Sequence, residues 1–159
     1  MDGFLDACIR LATDADLEAV TACVQAAFSP WTEIIGRRPF ALDTDYMSRI
    51  EDGYVHLAIE GGEILGVIAL WPEDESVYID TLAVDPSRQK RGVGKLLLDF
   101  AESHARALGK TTMSLRTNEK MQSNRAYYQK LGYQEIRSET FGLGRKTVWM
   151  EKPLMGDES

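Results

Sequence analysis

Between residues 82 and 95 the chain reads Leu82-Ala83-Val84-Asp85-Pro86-Ser87-Arg88-Gln89-Lys90-Arg91-Gly92-Val93-Gly94-Lys95. An apolar, strand-like stretch enters a loop with two glycines, and a long helical pattern begins directly after it. The first turn of a helix leaves backbone N–H groups without intrahelical acceptors, and the helix dipole makes that end positive. Gly92 and Gly94 remove side chains that would keep a ligand off the backbone. Arg88, Lys90, Arg91 and Lys95 fall within eight residues, on a chain whose formal net charge is −7. Together these features predict a phosphate or pyrophosphate cradle. Taken alone, the cations would read as a solvated charged loop.

Two familiar phosphate loops do not fit. A nucleoside-triphosphate loop needs G-x-x-x-x-G-K-[ST]. Here Gly94-Lys95 is followed by Leu96, so the magnesium-holding hydroxyl is missing, and Arg88 and Gln89 occupy the region of the first glycine. The dinucleotide fingerprint G-x-G-x-x-G places a glycine where Leu97 stands.

The segment does match Q-x-x-G-x-G, as Gln89-Lys90-Arg91-Gly92-Val93-Gly94. This resembles the acyl-CoA pyrophosphate loop of the GNAT N-acetyltransferase superfamily. Its context agrees: "LAVDP" before the loop, "GKLLLDFAESHARALG" after it, and Asn124-Arg125-Ala126-Tyr127-Tyr128-Gln129-Lys130-Leu131-Gly132-Tyr133 downstream, which resembles the superfamily's second hallmark. The resemblance covers roughly residues 8–152. The stretch "AFSPWTEIIGRRPFALDTDYMSRIEDG" is similar to a bacterial subgroup and says nothing of the substrate.

The resemblance implies acetyl-CoA as acyl donor, no metal, and transfer to a primary amine of a small molecule or a protein by direct attack in a ternary complex. The backbone of Leu82, Ala83 and Val84 would pair with the pantetheine amides, where the parallel strands splay apart at this strand. Gln89, Lys90, Arg91, Gly92, Val93, Gly94 and Lys95 would hold the pyrophosphate, and Asn118 and Asn124 would touch the pantetheine arm or the adenine side. A homodimer is common in such a family. The competing class is a GNAT-fold module that senses acetyl-CoA without turnover; the tyrosine at position 128 argues for the enzyme.

Acyl transfer to an amine needs a neutral amine, a polarised thioester, a stabilised oxyanion and a proton for the leaving thiolate. Tyr128 occupies the family's tyrosine position and shares a helical face with Asn124, four residues away. It is the candidate acid, against the alternative of a packing tyrosine; Tyr127 would pack. Asp80 is the candidate base, because a carboxylate on a largely buried strand is costly unless paired or functional. Tyr78 stands where some family members carry a base glutamate, and Asp80 shares its strand face by period-two alternation. Glu33, Glu73 and water remain alternatives. Trp31, Glu33, Arg37 and Arg38 would line the acceptor site, with Arg37 and Arg38 suited to a carboxylate or phosphate. His104, on the apolar stripe of the long helix, and His56 read as buried structural histidines.

The elements that must position these groups follow from periodicity. Cys8–Leu11 predicts a strand. Thr13 and Asp16 form a capping pair before a helix carrying Leu17, Val20, Cys23 and Phe28. A loop holds Trp31 to Pro39, and a second helix runs from about Asp43 to Glu51. Val55–Glu60 and Glu63–Trp71 flank Gly61-Gly62, a hairpin signal. Val77–Val84 is a central strand. Val93, Leu96, Leu97, Phe100, Ala101, His104 and Leu108 mark the longest helix. Thr112–Arg116, Met121–Leu131, Tyr133–Ser138 and Lys146–Glu151 follow as strand, helix, strand and strand. The prediction is a mixed α/β (α+β) single domain over residues 1–159, with six to seven strands and about four helices.

Bulk properties agree with this. At 159 residues, with 44% hydrophobic and 27% charged residues, one soluble core is expected. Two cysteines and two histidines at unrelated spacings predict no metal site, with Cys8 and Cys23 behaving as small apolar groups. The acidic balance disfavours nucleic acid. No apolar run reaches membrane-spanning length. Met1-Asp2-Gly3-Phe4 lacks a signal-like stretch, so the expected location is cytoplasmic, with no membrane partner.

Overall fold

Gly61 and Gly62 have φ of 58° and 82°, values that L side chains resist. They close a hairpin between strand β2 (Val55–Glu60) and strand β3 (Glu63–Glu73). Strand β1 (Cys8–Leu11) pairs antiparallel with β2, from Cys8↔Ile59 to Leu11↔His56. The β2–β3 register slips at Ala58/Ile59, leaving Leu65 as the extra residue. Strand β4 (Ser76–Val84) follows β3, then β5 (Thr112–Asn118), β6 (Gln134–Phe141) and β7 (Arg145–Pro153). The seven-stranded sheet has the order β1-β2-β3-β4-β5-β7-β6, in which β4 and β5 run parallel. These assignments come from a computed structural model that describes residues 7–88 and 91–154.

Contacts divide the chain into two compact units. The first comprises residues 1–70 and 81–101, the second residues 71–80 and 102–159. In the first unit, helix α1 (Leu17–Phe28) and helix α3 (Tyr46–Glu51) cover one sheet face. Val20, Val24, Tyr46, Ile50, Val55, Leu57, Val67, Ala69 and Ala83 form the core there. The Tyr46 hydroxyl lies 2.9 Å from the Ala41 carbonyl, to which it donates, and 3.1 Å from the Thr81 hydroxyl, so the buried Thr81 is satisfied structurally. Thr13 and Asp16 cap as predicted, but over a short 3-10 turn before α1, and Arg10 locks Asp16 through two bonds of 2.8 and 2.9 Å.

Helix α4 (Val93–Ala107) lies over the opposite face of the first unit. A Cβ at Gly66 would sit 2.9 Å from Val93 Cγ1, 3.0 Å from the Ala83 carbonyl oxygen and 3.0 Å from Leu97 Cδ1. The missing side chain is therefore what lets the start of α4 rest on the strands. The buried stripe of α4 is Val93, Leu97, Leu98, Ala101 and Ala105, about one position round from the predicted one. Leu108 is exposed and His104 only half-buried, which corrects the expectation of a buried histidine. His56 is also half-buried, its ring 4.7 Å from Phe100.

In the second unit, β5 pairs with β4 from Ser76↔Thr112 to Ile79↔Leu115, and β4 continues to Val84. β5 also pairs antiparallel with β7, and β7 with β6. Helix α5 (Gln122–Lys130) is anchored by Arg125, which donates to Glu135 at 2.7 and 2.9 Å and to the Glu119 carbonyl at 2.8 Å. The predicted loop at 31–39 contains a one-turn helix, α2 (Trp31–Ile35), so five α-helices are seen among the described residues where about four were expected. β5 extends past Arg116 and places Asn118 at a strand end.

Filling the Gly66 space should cost about 1–3 kcal/mol, the usual range for overpacking a fitted contact. Gly66→Ala is expected to lower the urea midpoint with an unchanged m-value, and Gly66→Val to lower it further.

Candidate active site

Asp85 shapes the exit of β4. Its N–H donates to the Leu65 carbonyl at 2.9 Å, at the extra residue of the β2–β3 bulge. Its Oδ1 accepts from the Ser87 N–H at 2.9 Å and the Ser87 hydroxyl at 2.8 Å, closing a 3-10 turn over Pro86–Arg88. Gln89 and Lys90 lie outside the described residues. Gly92 then takes φ +87°, and its carbonyl accepts the first helical bond, from Leu96 N–H at 2.9 Å. The N–H groups of Val93, Gly94 and Lys95 thus belong to the turn that has no acceptor inside the helix. A Cβ at Gly92 would meet nothing within 4 Å, so the approach is open. These residues fit a pyrophosphate: an open backbone at the positive end of a fifteen-residue helix.

The side-chain charges are less available than the sequence suggests. Arg88 is paired with Glu63. Arg91 lies 3.3 Å from Glu60, and Lys95 lies 2.9 Å from Asp99. Each described cation of the loop therefore has a carboxylate partner. Exposed pairs of this kind are worth roughly 0–1 kcal/mol, so an incoming diphosphate could displace them at small cost.

Tyr128 is buried at 8% exposure, whereas Tyr127, expected to pack, is 38% exposed with its ring against that of Tyr128. The Tyr128 ring meets Tyr127 and Tyr133 edge-on, each at 5.6 Å. Burial, then the Tyr127 neighbour, raises its pKa well beyond the ordinary phenol range. Asn124 is half-buried on the same helix. Asn118 Oδ1 accepts from the Lys120 N–H at 2.9 Å and so shapes the turn into α5.

On β4, Tyr78 is buried and Asp80 half-buried, two residues apart on one face. Burial pushes the Tyr78 hydroxyl up to about 12, with Arg116 drawing it down and Asp80 and Glu73 adding to the rise. Leu82 and Val84 are half-buried, and Ala83 belongs to the first unit's core.

A model of the acetyltransferase (GNAT) family matches residues 6–133. The chain belongs to the acetyltransferase (GNAT) family. It is similar to the S-(2-succino)cysteine N-acetyltransferase of Bacillus subtilis (strain 168), at 29% identity over 160 residues, covering 93% of this chain and 96% of that protein. Among solved structures it resembles Ard1 from Thermoplasma volcanium, at TM-score 0.76 and 19% identity over 95% of this chain and 99% of the other. It also resembles the PaiA N-acetyltransferase of Thermoplasma acidophilum in complex with coenzyme A, at TM-score 0.75 and 18% identity over 94% and 99%. This GNAT chain is thus an acetyl-CoA-dependent N-acetyltransferase with a GNAT α/β fold.

The remaining predicted residues of this GNAT protein are placed as follows. Trp31 is half-buried and Glu33 exposed on α2. Arg37 is half-buried. Arg38 donates to Asp43 at 2.7 Å and to the Leu42 carbonyl at 3.1 Å, bracing the turn before α3. A small pocket in this unit is lined by Leu17, Thr21, Gln25, Ala41, Leu42 and Tyr46, among others, and by none of these four. Cys8 is exposed, contrary to the apolar reading, while Cys23 is buried with its thiol pushed up to about 12. Among the described residues no three His, Cys, Asp or Glu side chains could hold a metal ion, and no helix is long and apolar enough to cross a membrane. Sequence reasoning missed Gly66, although a glycine inside a strand pattern signals a close backbone approach.

Gly94→Glu would put a carboxylate into the first turn of α4. Calorimetry should show loss of CoA binding, with far-UV circular dichroism and Tm close to wild type. Unchanged affinity would place the pyrophosphate elsewhere. In melting experiments CoA should stabilise the wild type where ATP and NAD do not.

Proposed function

We propose that this enzyme transfers acetyl from acetyl-CoA to a primary amine of a small molecule or a protein, by direct attack in a ternary complex. One acyl-CoA N-acyltransferase domain, with its core at about 8–152, is the organisation this reading adopts. The amine nitrogen attacks the thioester carbonyl, the C–N bond forms and the C–S bond breaks. Tyr128 gives its phenolic proton to the departing thiolate, and Asp80, directly or through water, takes the proton lost by the amine. Lys90, Arg91, Gly92, Val93, Gly94 and Lys95, with Gln89, hold the pyrophosphate. The Leu82–Val84 backbone, beyond the last β4–β5 pair at Ile79, offers its amides to the pantetheine arm, with Asn118 and Asn124 alongside. Trp31, Glu33, Arg37 and Arg38 serve the acceptor.

The observation that carries the reading is a buried phenol at the family's tyrosine position on α5, which keeps its proton at neutral pH as any phenol does. A proton donor must hold its proton until the leaving group needs it. Direct attack needs no nucleophile from the enzyme, and the buried Cys23 thiol, pushed up to about 12, is not suited to be one. S-(2-succino)cysteine, the acceptor named for the similar Bacillus subtilis enzyme, is the first amine to test.

Initial velocities with acetyl-CoA and a competent amine should give intersecting double-reciprocal lines; parallel lines would indicate an acyl-enzyme. Tyr128→Phe should lower kcat by about 10²–10⁴-fold, the usual contribution of general acid catalysis, with little change in acetyl-CoA affinity. Tyr127→Phe is the control. Full kcat in Tyr128→Phe would reduce Tyr128 to a packing residue. The pH profile of kcat/KM should rise as the amine deprotonates. It should not fall through loss of the Tyr128 proton below about pH 10, because the shift is upward from the ordinary phenol value.

A further inference from the structure

Strand β6 ends the sheet on one side, as β1 does on the other. β1 is four residues long, a length that blunts an edge. β6 runs for eight, Gln134 to Phe141, with no proline and no lysine. Its residues are exposed on both faces, and only Glu139 is half-buried. β7 bonds its inner side. Among the described residues no backbone group of another segment bonds to it. The N–H and C=O groups of its outer side are therefore a template for one more strand.

Side chains decide which strand fits. Trp149 of β7 stands opposite Arg116 of β5 on one side and Arg137 of β6 on the other. The Arg137 guanidinium rests 4.6 Å from the Trp149 ring centroid, and the Trp149 indole N–H donates to Glu139. Arg137 and Glu139 thus share the Trp149 face and are held there before any partner arrives. They lie 3.8 Å apart, with side chains 55% and 42% exposed. One long contact does not exhaust the donors of a guanidinium or the lone pairs of a carboxylate. Glu135 is on the other face, because the β6–β7 register steps from Glu135↔Met150 to Arg137↔Trp149, with Ile136 as the extra residue.

If β6 meets a second copy of itself antiparallel, about a two-fold axis normal to the sheet, each residue must oppose one on its own face. Centring on Arg137 sets arginine against arginine, and centring on Glu139 sets glutamate against glutamate, which is destabilising. Centring on Ile136 would match Glu135 with Arg137, which the bulge has placed on different faces. Centring on Thr140 leaves Arg137 beyond the end of the second strand. Centring on Ser138 sets Arg137 opposite Glu139 of the second copy, twice by symmetry, and brings Ile136, 49% exposed, beside Thr140 of that copy.

We propose that β6 is a self-association edge: two copies of this chain pair antiparallel about Ser138, with Arg137 of each copy on Glu139 of the other. The inference is independent of the acetyl-transfer reading. Residues 136–140 of each copy make a patch smaller than a standard interface, so the dimer is weak and concentration-dependent.

Sedimentation velocity of the full chain over a wide concentration range should show a monomer–dimer equilibrium. Arg137→Glu and Glu139→Arg each turn two opposite-charge pairs into two like-charge pairs, and each should weaken association about 10-fold or more. The double swap Arg137→Glu/Glu139→Arg restores both pairs and should recover most of it, with far-UV circular dichroism confirming the fold of all three variants. The register has its own check in a Cys8→Ser background. Ser138→Cys sits on the axis with its copy about 5 Å away between Cβ atoms, and should cross-link on mild oxidation. Gln134→Cys stands roughly 25 Å from its copy in that register and should not. A monomer at every concentration overturns the proposal, as does a dimer that neither charge inversion weakens. Cross-linking through position 134 in preference to 138 overturns the register. Hydrogen exchange completes the test: β6 amides not bonded to β7 should gain protection as concentration rises. Equal protection in the dilute monomer would show the edge covered by the chain itself, and would overturn the proposal.

Discussion

The close seating of α4 on the strands at Gly66 is the contact on which the cofactor end of this enzyme depends. The donors proposed for the pyrophosphate are backbone N–H groups, and their direction is fixed by where the helix starts. Val93 and Leu97 pack against the space that a Cβ at position 66 would occupy, within 3.0 Å. A side chain there would lift the first turn, and with it every donor in that turn. The bulge at Leu65 belongs to the same device, since the Leu65 carbonyl receives the Asp85 N–H and so fixes the end of β4. Residues flanking one irregular point in β3 thus set both the strand that enters the loop and the helix that leaves it.

This arrangement resolves the oddity of a basic loop on an acidic chain. Glu63, Glu60 and Asp99 occupy Arg88, Arg91 and Lys95, so the described side chains bring about as much negative as positive charge to the loop. What remains is the directional donor set at the helix start. Backbone N–H groups and a helix dipole do not reorganise when the anion arrives. Lysines and arginines on flexible stems must exchange partners and lose rotamer freedom when they bind. In the proposed cradle, selectivity for a diphosphate would therefore rest more on the glycines than on the count of cations.

The sequence made the loop, the hairpin and the tyrosine motif legible because each depends on local rules: positive φ at Gly61, Gly62 and Gly92, and helical spacing from Asn124 to Tyr128. The element order and the limits of β1, α1 and β2 were readable for the same reason. Less legible were features set by partners far along the chain. The α4 stripe turned by about one position because the sheet offers its vacancy at Gly66, which favours Val93 and Leu97 over Leu96 and Phe100. Arg116, Arg137 and Trp149 are distant in sequence and become a row only through two strand registers and one bulge. No periodicity in β6 announces that Ile136 is skipped. The Arg38–Asp43 bond was likewise not legible, because Asp43 becomes a neighbour only once the 40–43 turn forms.

The two buried phenols of the second unit show how environment divides similar groups between roles. Tyr78 and Tyr128 are both raised by burial. Tyr78, however, has the Arg116 guanidinium favouring its phenolate and the Asp80 and Glu73 carboxylates opposing it. Tyr128 is perturbed only by its burial and by another tyrosine, with no cation drawing its proton away. A general acid must hold its proton until the leaving group takes it, and here the recipient is the departing thiolate. In the proposed reaction Tyr128 fills that role, with its ring met edge-on by Tyr127 and Tyr133.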